Sequence, residues 1–503
     1  MNLIARFARQ KIIKNTSSLA VGQFVGRVLT VIYVAALARY VGSEGIGQIS
    51  IATTINGLLV LLVGPGLEVL LTRDVSADRD KSSMYLGNTL LMRLFLGAPF
   101  LLMVIVISHF AGYSADTMAI VYVYTVVYLL DALGELLSAT FQAYEHMEFV
   151  GGAEVMRNLI NVILSLLGIY LGWSLFAIAL MSVVASVCKL LFLGVVMHWR
   201  FVRPSFSFNP QFWQTLFIAS LPFGLLLILH TGQALFGTFV ISLFYPEEMV
   251  GLYNAANMLI IMVLMLPSAF AKAIFPSFSH LYVHNRDALP SFYQVCYKFL
   301  VILGFPLGLG TILVGEQVIV LVYGEEFTQA AVILYILAMF LFTIVGYSNG
   351  SLLNATGMQN FFAWTEAVAV AVNVLGSIVL VPFVGPTGAA ISLVASGVGT
   401  FYVHSRAAHT QLGLAIPWLM MLKVALATAV MGAIVWIGIW YHVPWLLLVF
   451  PVAPIVYLLA LSLAGLISRE ELKLLASGTS LQTEETVATT EEAGRTTEET
   501  ALT

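Results

Sequence analysis

Residues 84–108 read MYLGNTLLMRLFLGAPFLLMVIVIS, and Arg93 is the one charged side chain among them. About 20 mostly apolar residues in a row are enough to cross the hydrocarbon core of a bilayer as a helix. The polar break Asp78-Arg79-Asp80 precedes this run, and similar apolar runs lie on both sides of it. The stretch therefore predicts a transmembrane helix and sets the pattern for the whole chain.

The composition extends this pattern to all 503 residues. Hydrophobic residues make up 60% of the chain and charged residues 10%, whereas soluble proteins are about 45–50% apolar and about 25% charged. A soluble core stops growing at about 250–300 residues, so it cannot absorb this excess. The composition excludes a cytosolic enzyme, a secreted disulfide scaffold and an outer-membrane barrel with alternating strands. We predict an all-α polytopic membrane protein.

Hydropathy with polar breaks as boundaries predicts about fourteen spans. They lie near 16–38, 46–71, 84–108, 117–143, 151–172, 174–197, 214–243, 250–272, 296–315, 328–352, 361–382, 387–405, 419–441 and 444–467. We group them as a cytoplasmic N-terminus (1–15), a six-helix N-lobe (16–197), a cytoplasmic linker (198–213), a six-helix C-lobe (214–410), two further helices (411–467) and an acidic tail (468–503). The tail is rich in Thr and Glu, which is typical of disorder.

Lys and Arg residues orient these spans. If the N-terminus is cytoplasmic, seventeen basic residues fall on the inner side and Arg39 alone falls on the outer side. Because cytoplasmic loops carry the excess of positive charge, we predict a multi-pass protein of the cytoplasmic membrane with both termini on the cytoplasmic side. Residues 1–18 lack the short apolar stretch and cleavage site of a signal peptide.

An internal repeat relates the two halves. An offset of 212 residues pairs spans four to six with spans ten to twelve, and it aligns Glu154 with Glu366 and Asn161 with Asn373. An offset near 204 pairs residues 47–52 with 251–256. Six spans is an even number, so both copies start on the same face, as in transporters built from two parallel repeats around a central site. Chance matching in an apolar alphabet is the alternative.

Four cations lie within the predicted spans, namely Arg27, Arg93, Arg157 and Lys189. A charge at the bilayer centre is costly and usually faces a protein interior or a wet cavity. Arg27 lies eleven residues from either end of its span, too deep to reach an interface comfortably. With Lys272 at the inner end of span eight, these residues are our candidates for a cationic substrate cavity.

Acidic residues accompany these cations. Asp131 and Glu135 are four apart and share a helical face, and Glu154 and Arg157 on the next span are three apart. The polar faces predict a hydrated cavity in the N-lobe, with Glu366 and His230 as the corresponding groups of the C-lobe. These five residues, Asp131, Glu135, Glu154, Glu366 and His230, are candidates for ion coupling or for structural ion pairs. For Arg157, a structural pair with Glu154 is the favoured interpretation.

Several sequence features are missing. No G-x-x-x-x-G-K-[ST] phosphate loop occurs, which argues against ATP hydrolysis. The outer loops are too short for the catalytic domain of a membrane glycosyltransferase, so an enzyme of glycan assembly is disfavoured. Cys188 and Cys296 suggest neither a disulfide nor a metal site. We expect a transporter with no cofactor and no nucleic-acid partner, driven by an ion gradient, the membrane potential or the substrate's own gradient.

Short motifs add a family resemblance. Residues 38–47, ARYVGSEGIG, resemble the A-R-x-L-G-x-E-x-Y/F-G signature of Wzx-type polysaccharide-biosynthesis flippases in the multidrug/oligosaccharidyl-lipid/polysaccharide (MOP) superfamily. Residues 250–256 (VGLYNAA), Leu266-Pro267 and 275–279 (FPSFS) resemble that family's G-x-Y-x-x-A...P...F-P-x-x-S pattern, and 220–224 (SLPFG) also fits. The resemblance covers about residues 10–465.

The resemblance implies alternating access that moves undecaprenyl-pyrophosphate-linked oligosaccharide from the inner to the outer leaflet. Basic residues of the cavity would hold the pyrophosphate, with Arg27 and Lys272 suitably placed. It also implies membrane lipids, H⁺ or Na⁺ and the polysaccharide polymerase machinery as candidate partners. The family often has an acid in span seven, but residues 230–242 have none, which puts cation coupling through the C-lobe in doubt.

Two other transport functions remain open within the same superfamily. A lipid II flippase would use fourteen spans and a similar substrate. A cation-coupled multidrug exporter would select its substrates with acids and typically needs twelve spans. We expect the N-lobe to hold an excess of cations within its spans, and moving a pyrophosphate through a bilayer requires buried cations, so the oligosaccharide flippase is favoured.

Overall fold

The structure is a computed structural model that describes the backbone of residues 2–466 and most side chains from residue 30 onward. Side chains of residues 1–29, Val31, Leu226 and His230, and the whole of 467–503, lie outside the described part. The predictions for Arg27, His230 and the acidic tail therefore fall outside it. Residues 2–466 contain helices and turns and no strand, which confirms the all-α fold class.

The helices form a simple series along the chain. They are α1 (Asn2–Leu59), α2 (Leu67–Ala77), α3 (Ser82–Phe110), α4 (Ala115–Ala143), α5 (Met147–Tyr170), α6 (Leu175–Arg200), α7 (Pro210–Phe244), α8 (Glu247–His284), α9 (Leu289–Tyr323), α10 (Ala330–Ala338), α11 (Gly346–Ala355), α12 (Gln359–Val384), α13 (Pro386–Leu412), α14 (Trp418–Trp440), α15 (Trp445–Leu447) and α16 (Ala453–Leu463). Twelve helices of the described part are long and apolar enough to cross a membrane, or thirteen with one bent pair. The predicted count of about fourteen is not confirmed.

Two predicted spans are not continuous helices. Span 46–71 breaks between α1 and α2, where Gly64 and Gly66 have φ of 87° and 75°. These values favour glycine, and Pro65 between them offers no N–H to a helix. Span 328–352 is divided into α10 and α11, and the segments Ala330–Thr343 and Gly346–Ala355 meet at a 42° bend. An apolar run indicates which residues cross the membrane but does not show where the backbone bends.

Helix α1 merges the first two predicted spans across a kink at Gly42, whose φ is 69° and ψ −173°. The backbone angles at Gly42 favour glycine, and a methyl group there would lie 2.6 Å from Oε1 of Glu326, so that carboxylate would have to move. We call the end of the molecule that holds Gly42 the kink end. The turns after α3, α5, α7, α9 and α12 also lie there.

Helix boundaries follow the predicted repeat. Helix α5 begins at Met147 and α12 at Gln359, 212 residues apart, and α4 and α11 end at Ala143 and Ala355, again 212 apart. Within each copy the last two helices pack together, α5 with α6 and α12 with α13. These helix ends therefore match at the 212-residue offset, although α4 is one helix and its counterpart is divided into α10 and α11.

The two lobes meet through a symmetric contact at the kink end. A methyl group on Gly47 of α1 would lie 1.8 Å from the carbonyl oxygen of Glu247, and one on Gly251 of α8 would lie 2.0 Å from that of Ser43. Each glycine is thus packed on the backbone four residues before the other, and the pairs correspond at the 204-residue offset. Small residues allow membrane helices this close approach.

Helix α7 contacts both lobes. Near its start, Trp213 Nε1 donates to Asn88 Oδ1 of α3 at 3.0 Å. Further along, Asn373 Nδ2 of α12 donates to the carbonyl oxygen of Gln233 at 3.1 Å. The first half of α7 therefore packs on the N-lobe, although the predicted C-lobe begins at residue 214. Its second half contacts both lobes, since the hydroxyls of Ser242 and Tyr113 share a hydrogen bond at 2.8 Å.

Candidate functional site

Five charged side chains of the N-lobe come together on α4, α5 and α6. We call Asp131, Glu135, Glu154, Arg157 and Lys189 the N-lobe cluster. The four-residue spacing of Asp131 and Glu135 places both carboxylates on one face of α4, as predicted. Helices α5 and α6 pack against each other and α6 packs against α4, so their charges reach the same region.

Arg157 pairs across helices. Its Nη2 donates to Asp131 Oδ2 at 2.7 Å, and its Nε donates to Ser186 Oγ at 3.3 Å. The favoured pair with Glu154 is therefore wrong, because the guanidinium reaches α4 and α6. Both side chains of the pair are 25% exposed. Asp131 Oδ1 is buried and has no hydrogen-bond partner in the described part of the chain.

Lys189 lies between two glutamates. Its Nζ donates to Glu135 Oε1 at 2.9 Å and also to Glu154 Oε1. The lysine side chain is only 4% exposed, whereas that of Glu135 is 47% exposed. Two carboxylates thus neutralise one deeply buried ammonium. Of the two paired residues Lys189 and Glu135, the glutamate has the exposed side chain.

Arg93 donates hydrogen bonds to the backbone at the break between α1 and α2. Its guanidinium donates to the carbonyl oxygens of Val63 at 3.1 Å, Gly64 at 3.1 Å and Ala132 at 2.5 Å. It also pairs with Glu68 at 2.6 Å, in the first turn of α2. A broken helix inside a membrane frees carbonyl groups that need protein donors. Glu68 was not among the predicted site residues, although its position just after Gly64-Pro65-Gly66 was an available signal.

A cavity of about 170 Å³ adjoins these groups. The residues that line it include Glu68, Arg93, Asp131, Glu135 and, from α7, Leu227. The pair Arg93–Glu68 and the acids Asp131 and Glu135 of the N-lobe cluster therefore line the same cavity, beside α7. This space adjoins Asp131 and Glu135 of the predicted N-lobe site, and its hydration stays a prediction.

The charge balance differs from expectation. The carboxylates of Glu68, Asp131, Glu135 and Glu154 face three cations, Arg93, Arg157 and Lys189. Within the described side chains, this part of the N-lobe therefore has one more acid than base. The predicted excess of cations is not found there. The prediction did not include Glu68, and Arg27 lies outside the described side chains.

The C-lobe candidates lie apart from the N-lobe cluster. Glu366 is half-buried on α12, and Lys272 is exposed on α8. The described side chains of these two residues make no ion pair with the cluster. Polar groups of the C-lobe instead form local bonds, such as Thr365 Oγ1 with His404 Nε2 at 2.6 Å.

Hydrogen bonds join the lobes at the kink end. Glu326 Oε1 accepts from the N–H and Oγ of Ser43 at 2.8 and 2.7 Å, and these two donors lower the pKa of Glu326. Glu247 Oε1 accepts from Thr117 Oγ1 at 2.9 Å. Arg39 Nε donates to the carbonyl oxygen of Val322 at 3.3 Å, at the end of α9. The described conformation is thus closed at this end.

Comparison with known proteins identifies the family. The family model described as "Polysaccharide biosynthesis protein" matches residues 12–282, more than half of the chain. The chain belongs to the polysaccharide biosynthesis protein family. The matched segment contains all five cations of the predicted cavity, from Arg27 to Lys272. A curated relative is the teichuronic acid biosynthesis protein TuaB of Bacillus subtilis, 23% identical over 329 residues. That match covers 63% of this chain and spans 65% of the relative's length.

Solved structures show the same fold. A lipid II flippase MurJ in an inward closed conformation matches with a TM-score of 0.73 and 14% identity, covering 88% of this chain and 98% of the other. An inward-facing multidrug resistance MATE transporter of the MOP superfamily matches with a TM-score of 0.66 and 16% identity, covering 78% and 94%. Family and fold together describe a polysaccharide biosynthesis protein that has many candidate membrane-spanning helices and shares its fold with these two transporters.

Proposed function

We propose that the protein moves a polyprenyl-pyrophosphate-linked oligosaccharide from the inner to the outer leaflet of the cytoplasmic membrane. The observation that carries this proposal is the family match, which covers the N-lobe, α7 and α8. The Bacillus relative is named for teichuronic acid biosynthesis, and a lipid-linked glycan is a substrate that must cross a bilayer. The two-lobed fold supports alternating access as the route.

We assign the five candidate cations to different roles. Arg93 and Lys189 are almost fully buried and already paired, so we infer that they position the N-lobe. Arg157 is partly exposed, and Lys272 is exposed on the second lobe. These two cations and Arg27 are the proposed binders of pyrophosphate, since charge-assisted bonds to phosphate are strong.

The kink end is the proposed outer gate. The positive-inside rule places it outside, because the junctions with most basic residues lie at the opposite end. The contact between Gly47 and Gly251 joins the lobes there, so releasing substrate outward requires α1 and α8 to separate. The described state is then one that is closed to the outside.

Reconstitution into liposomes tests the substrate. Liposomes with the purified protein are supplied separately with a lipid-linked oligosaccharide, lipid II and a cationic dye. For each lipid, the fraction that a reagent can reach from the opposite leaflet is measured; for the dye, its transport across the membrane is measured. The proposal expects transfer of the oligosaccharide lipid in preference to lipid II. Transfer of lipid II with equal or greater rate would overturn the assignment of substrate, and dye export without lipid transfer would overturn the flippase function.

One observation favours a cation-coupled exporter as the second candidate. Three carboxylates, those of Glu68, Asp131 and Glu135, and one cation, Arg93, are among the residues that line the N-lobe cavity, and acids attract cationic substrates. Substituting the most exposed of these acids, Glu135, by Gln distinguishes the two functions. An exporter would lose dye transport, whereas the proposed flippase would retain transfer of an anionic lipid.

A further inference from the structure

A second cavity lies at the kink end, between α1 and the turn that joins α5 to α6. Its volume is about 470 Å³, within the roughly 300–1,000 Å³ that is typical of small-molecule sites. Its lining includes Tyr40, Glu44 and Gln48 of α1, and Trp173 and Ser174 of the turn. None of these residues belongs to the N-lobe cluster.

The cavity lies beside the contact between the lobes and is not part of it. Ser43 and Gly47 of α1 contact residues of the C-lobe. Glu44 and Gln48 each come one position later, which is about 100° further round a helix of 3.6 residues per turn. The cavity is therefore on the neighbouring face of α1. Glu44 is exposed, so a ligand can reach this face while the lobes are closed.

Trp173 is held firmly at the wall of the cavity. Its carbonyl oxygen accepts from Tyr40 Oη at 2.9 Å, and its backbone N–H donates to the carbonyl oxygen of Gly168 at 2.9 Å. A methyl group on Gly168 would lie 2.9 Å from Cε3 of the indole, so the ring packs directly on α5. Because the half-buried ring is already ordered, a ligand that stacks on it pays little conformational entropy.

Gln48 provides the cavity with an amide that lacks a partner. Its side chain is only 9% exposed, and the described part of the chain gives that amide no hydrogen bond. An amide has two N–H donors and a carbonyl acceptor. A buried polar group without a partner is costly, so Gln48 favours a ligand that both donates and accepts hydrogen bonds.

The C-lobe has no counterpart of these two groups. At the 204-residue offset, Gln48 corresponds to Leu252, which is buried. Helices α5 and α6 are joined by the four residues 171–174, whereas α12 and α13 are joined by Gly385 alone. One lobe is thus built without an amide or an indole at these places, so the packing of a lobe requires neither.

We propose that this cavity binds a neutral sugar residue of the transported glycan. This inference rests on the proposed function, which supplies the glycan and places the kink end outside. The negative face of an aromatic ring attracts the C–H bonds of a pyranose ring, and Trp173 provides such a face. Amide and carboxylate groups form hydrogen bonds with sugar hydroxyls, and Gln48 and Glu44 provide these groups.

The lining distinguishes a neutral sugar from other ligands. No Lys or Arg is among the described residues that line the cavity, so pyrophosphate or an acidic sugar would find no opposite charge there. A cation could use the aromatic faces and Glu44, but the N–H donors of Gln48 would face it without a bond. A neutral sugar uses the ring, the donors and the acceptors together.

Four variants test the site. Gln48→Leu introduces the residue that the C-lobe has at the equivalent position, and Trp173→Ala removes the ring. Trp173→Phe keeps an aromatic face and should retain binding. Trp440→Ala is the matched control, because it removes an indole that is 71% exposed at the end of α14. Thermal unfolding in detergent checks that each protein is folded.

Binding is measured on the full-length protein by saturation-transfer difference NMR, in a detergent without a sugar headgroup. The probes are maltotriose and diacetylchitobiose as neutral sugars, glucuronic acid as an acidic sugar and tetraethylammonium as a cation. The wild type and Trp440→Ala should transfer saturation to a neutral sugar and not to the other two probes. Gln48→Leu should weaken this binding by about five- to tenfold, since it removes a hydrogen-bonding group, and Trp173→Ala should abolish it.

The outcomes separate the sugar site from the function on which it rests. No saturation transfer from the folded wild type to either neutral sugar would overturn the site, as would unchanged binding in folded Gln48→Leu and Trp173→Ala. Tetraethylammonium binding without sugar binding would overturn the choice of ligand. Sugar binding by a wild type that transfers no oligosaccharide lipid would leave the site and contradict the proposed function.

Discussion

Lys189 shows how strongly single residues hold the N-lobe together. Its ammonium is 4% exposed and lies between Glu135 and Glu154, so removing it leaves two carboxylates facing each other. Breaking a buried pair from one side typically costs about 3–5 kcal/mol. Lys189→Met should therefore lower the free energy of unfolding by about that amount, measured by thermal or denaturant unfolding in detergent.

Two comparisons control this prediction. Arg73→Met removes the exposed partner of Asp74, and exposed substitutions usually change stability by less than about 0.5 kcal/mol. The triple variant Lys189→Met/Glu135→Gln/Glu154→Gln removes the whole group and should recover most of the loss. A Lys189→Met protein as stable as the wild type would show that the ammonium is not needed to balance these acids.

The sequence predicted the charged residues of the N-lobe but not all of their partners. Helical spacing brought Asp131 and Glu135 to one face, because spacing within a helix is fixed by its geometry. Arg157 pairs with Asp131 instead of its helix neighbour Glu154, and Lys189 reaches across to Glu154. Contacts between helices depend on packing angle and rotation, which a single sequence does not specify.

At the scale of elements, the break between α1 and α2 depends on Arg93. Arg93→Met would leave the carbonyl group of Val63 and the carboxylate of Glu68 without the donor that Arg93 provides. Each unsatisfied buried group costs about 1–3 kcal/mol, so the thermal unfolding temperature should fall clearly. Arg203→Met, an exposed change in the linker after α6, should leave it unchanged.

This prediction also separates two roles of Arg93. A variant that unfolds at the wild-type temperature but no longer transports would show that Arg93 binds substrate instead of supporting the break. Hydropathy predicted the surrounding spans well but treated 46–71 as one helix. The signal of the break was Gly64-Pro65-Gly66, which an average over apolar residues conceals.

The contact between α1 and α8 predicts a mechanical effect. Gly47→Ala or Gly251→Ala places a methyl group within 1.8 or 2.0 Å of a carbonyl oxygen, so the helices must move apart. We expect the kink end to open more often in either variant. A cysteine at Ser50, one turn beyond Gly47 and 8% exposed, reports this opening through labelling by a membrane-impermeant maleimide in a cysteine-free background.

The glycine variants have a matched control. Gly310→Ala lies in α9, where an added methyl group meets nothing within 4 Å, so labelling should stay at the wild-type level. Because the two glycines are equivalent in the repeat, both variants should act in the same direction. Labelling that stays at the background level in both would show that this contact does not close the gate.

At the scale of the whole molecule, composition predicted the helical membrane fold and the motifs predicted a polysaccharide-biosynthesis family, and both predictions are confirmed. The number of spans is not, because two predicted spans are bent or broken and the first one lies largely outside the described side chains. Sequence also paired the two repeats. It could not show that Gly47 and Gly251 meet, since that contact exists only once both lobes are assembled.

The most direct test of the account measures transfer of a pyrophosphate-linked oligosaccharide between leaflets by the wild type and by Arg27→Ala. Both proteins are purified, checked for equal folding by thermal unfolding, and reconstituted into liposomes at the same density. We predict that the wild type exposes the lipid to a reagent acting on the opposite leaflet and that Arg27→Ala does not. Transfer by Arg27→Ala at the wild-type rate would contradict the cationic substrate site, and an inactive wild type would contradict the flippase itself.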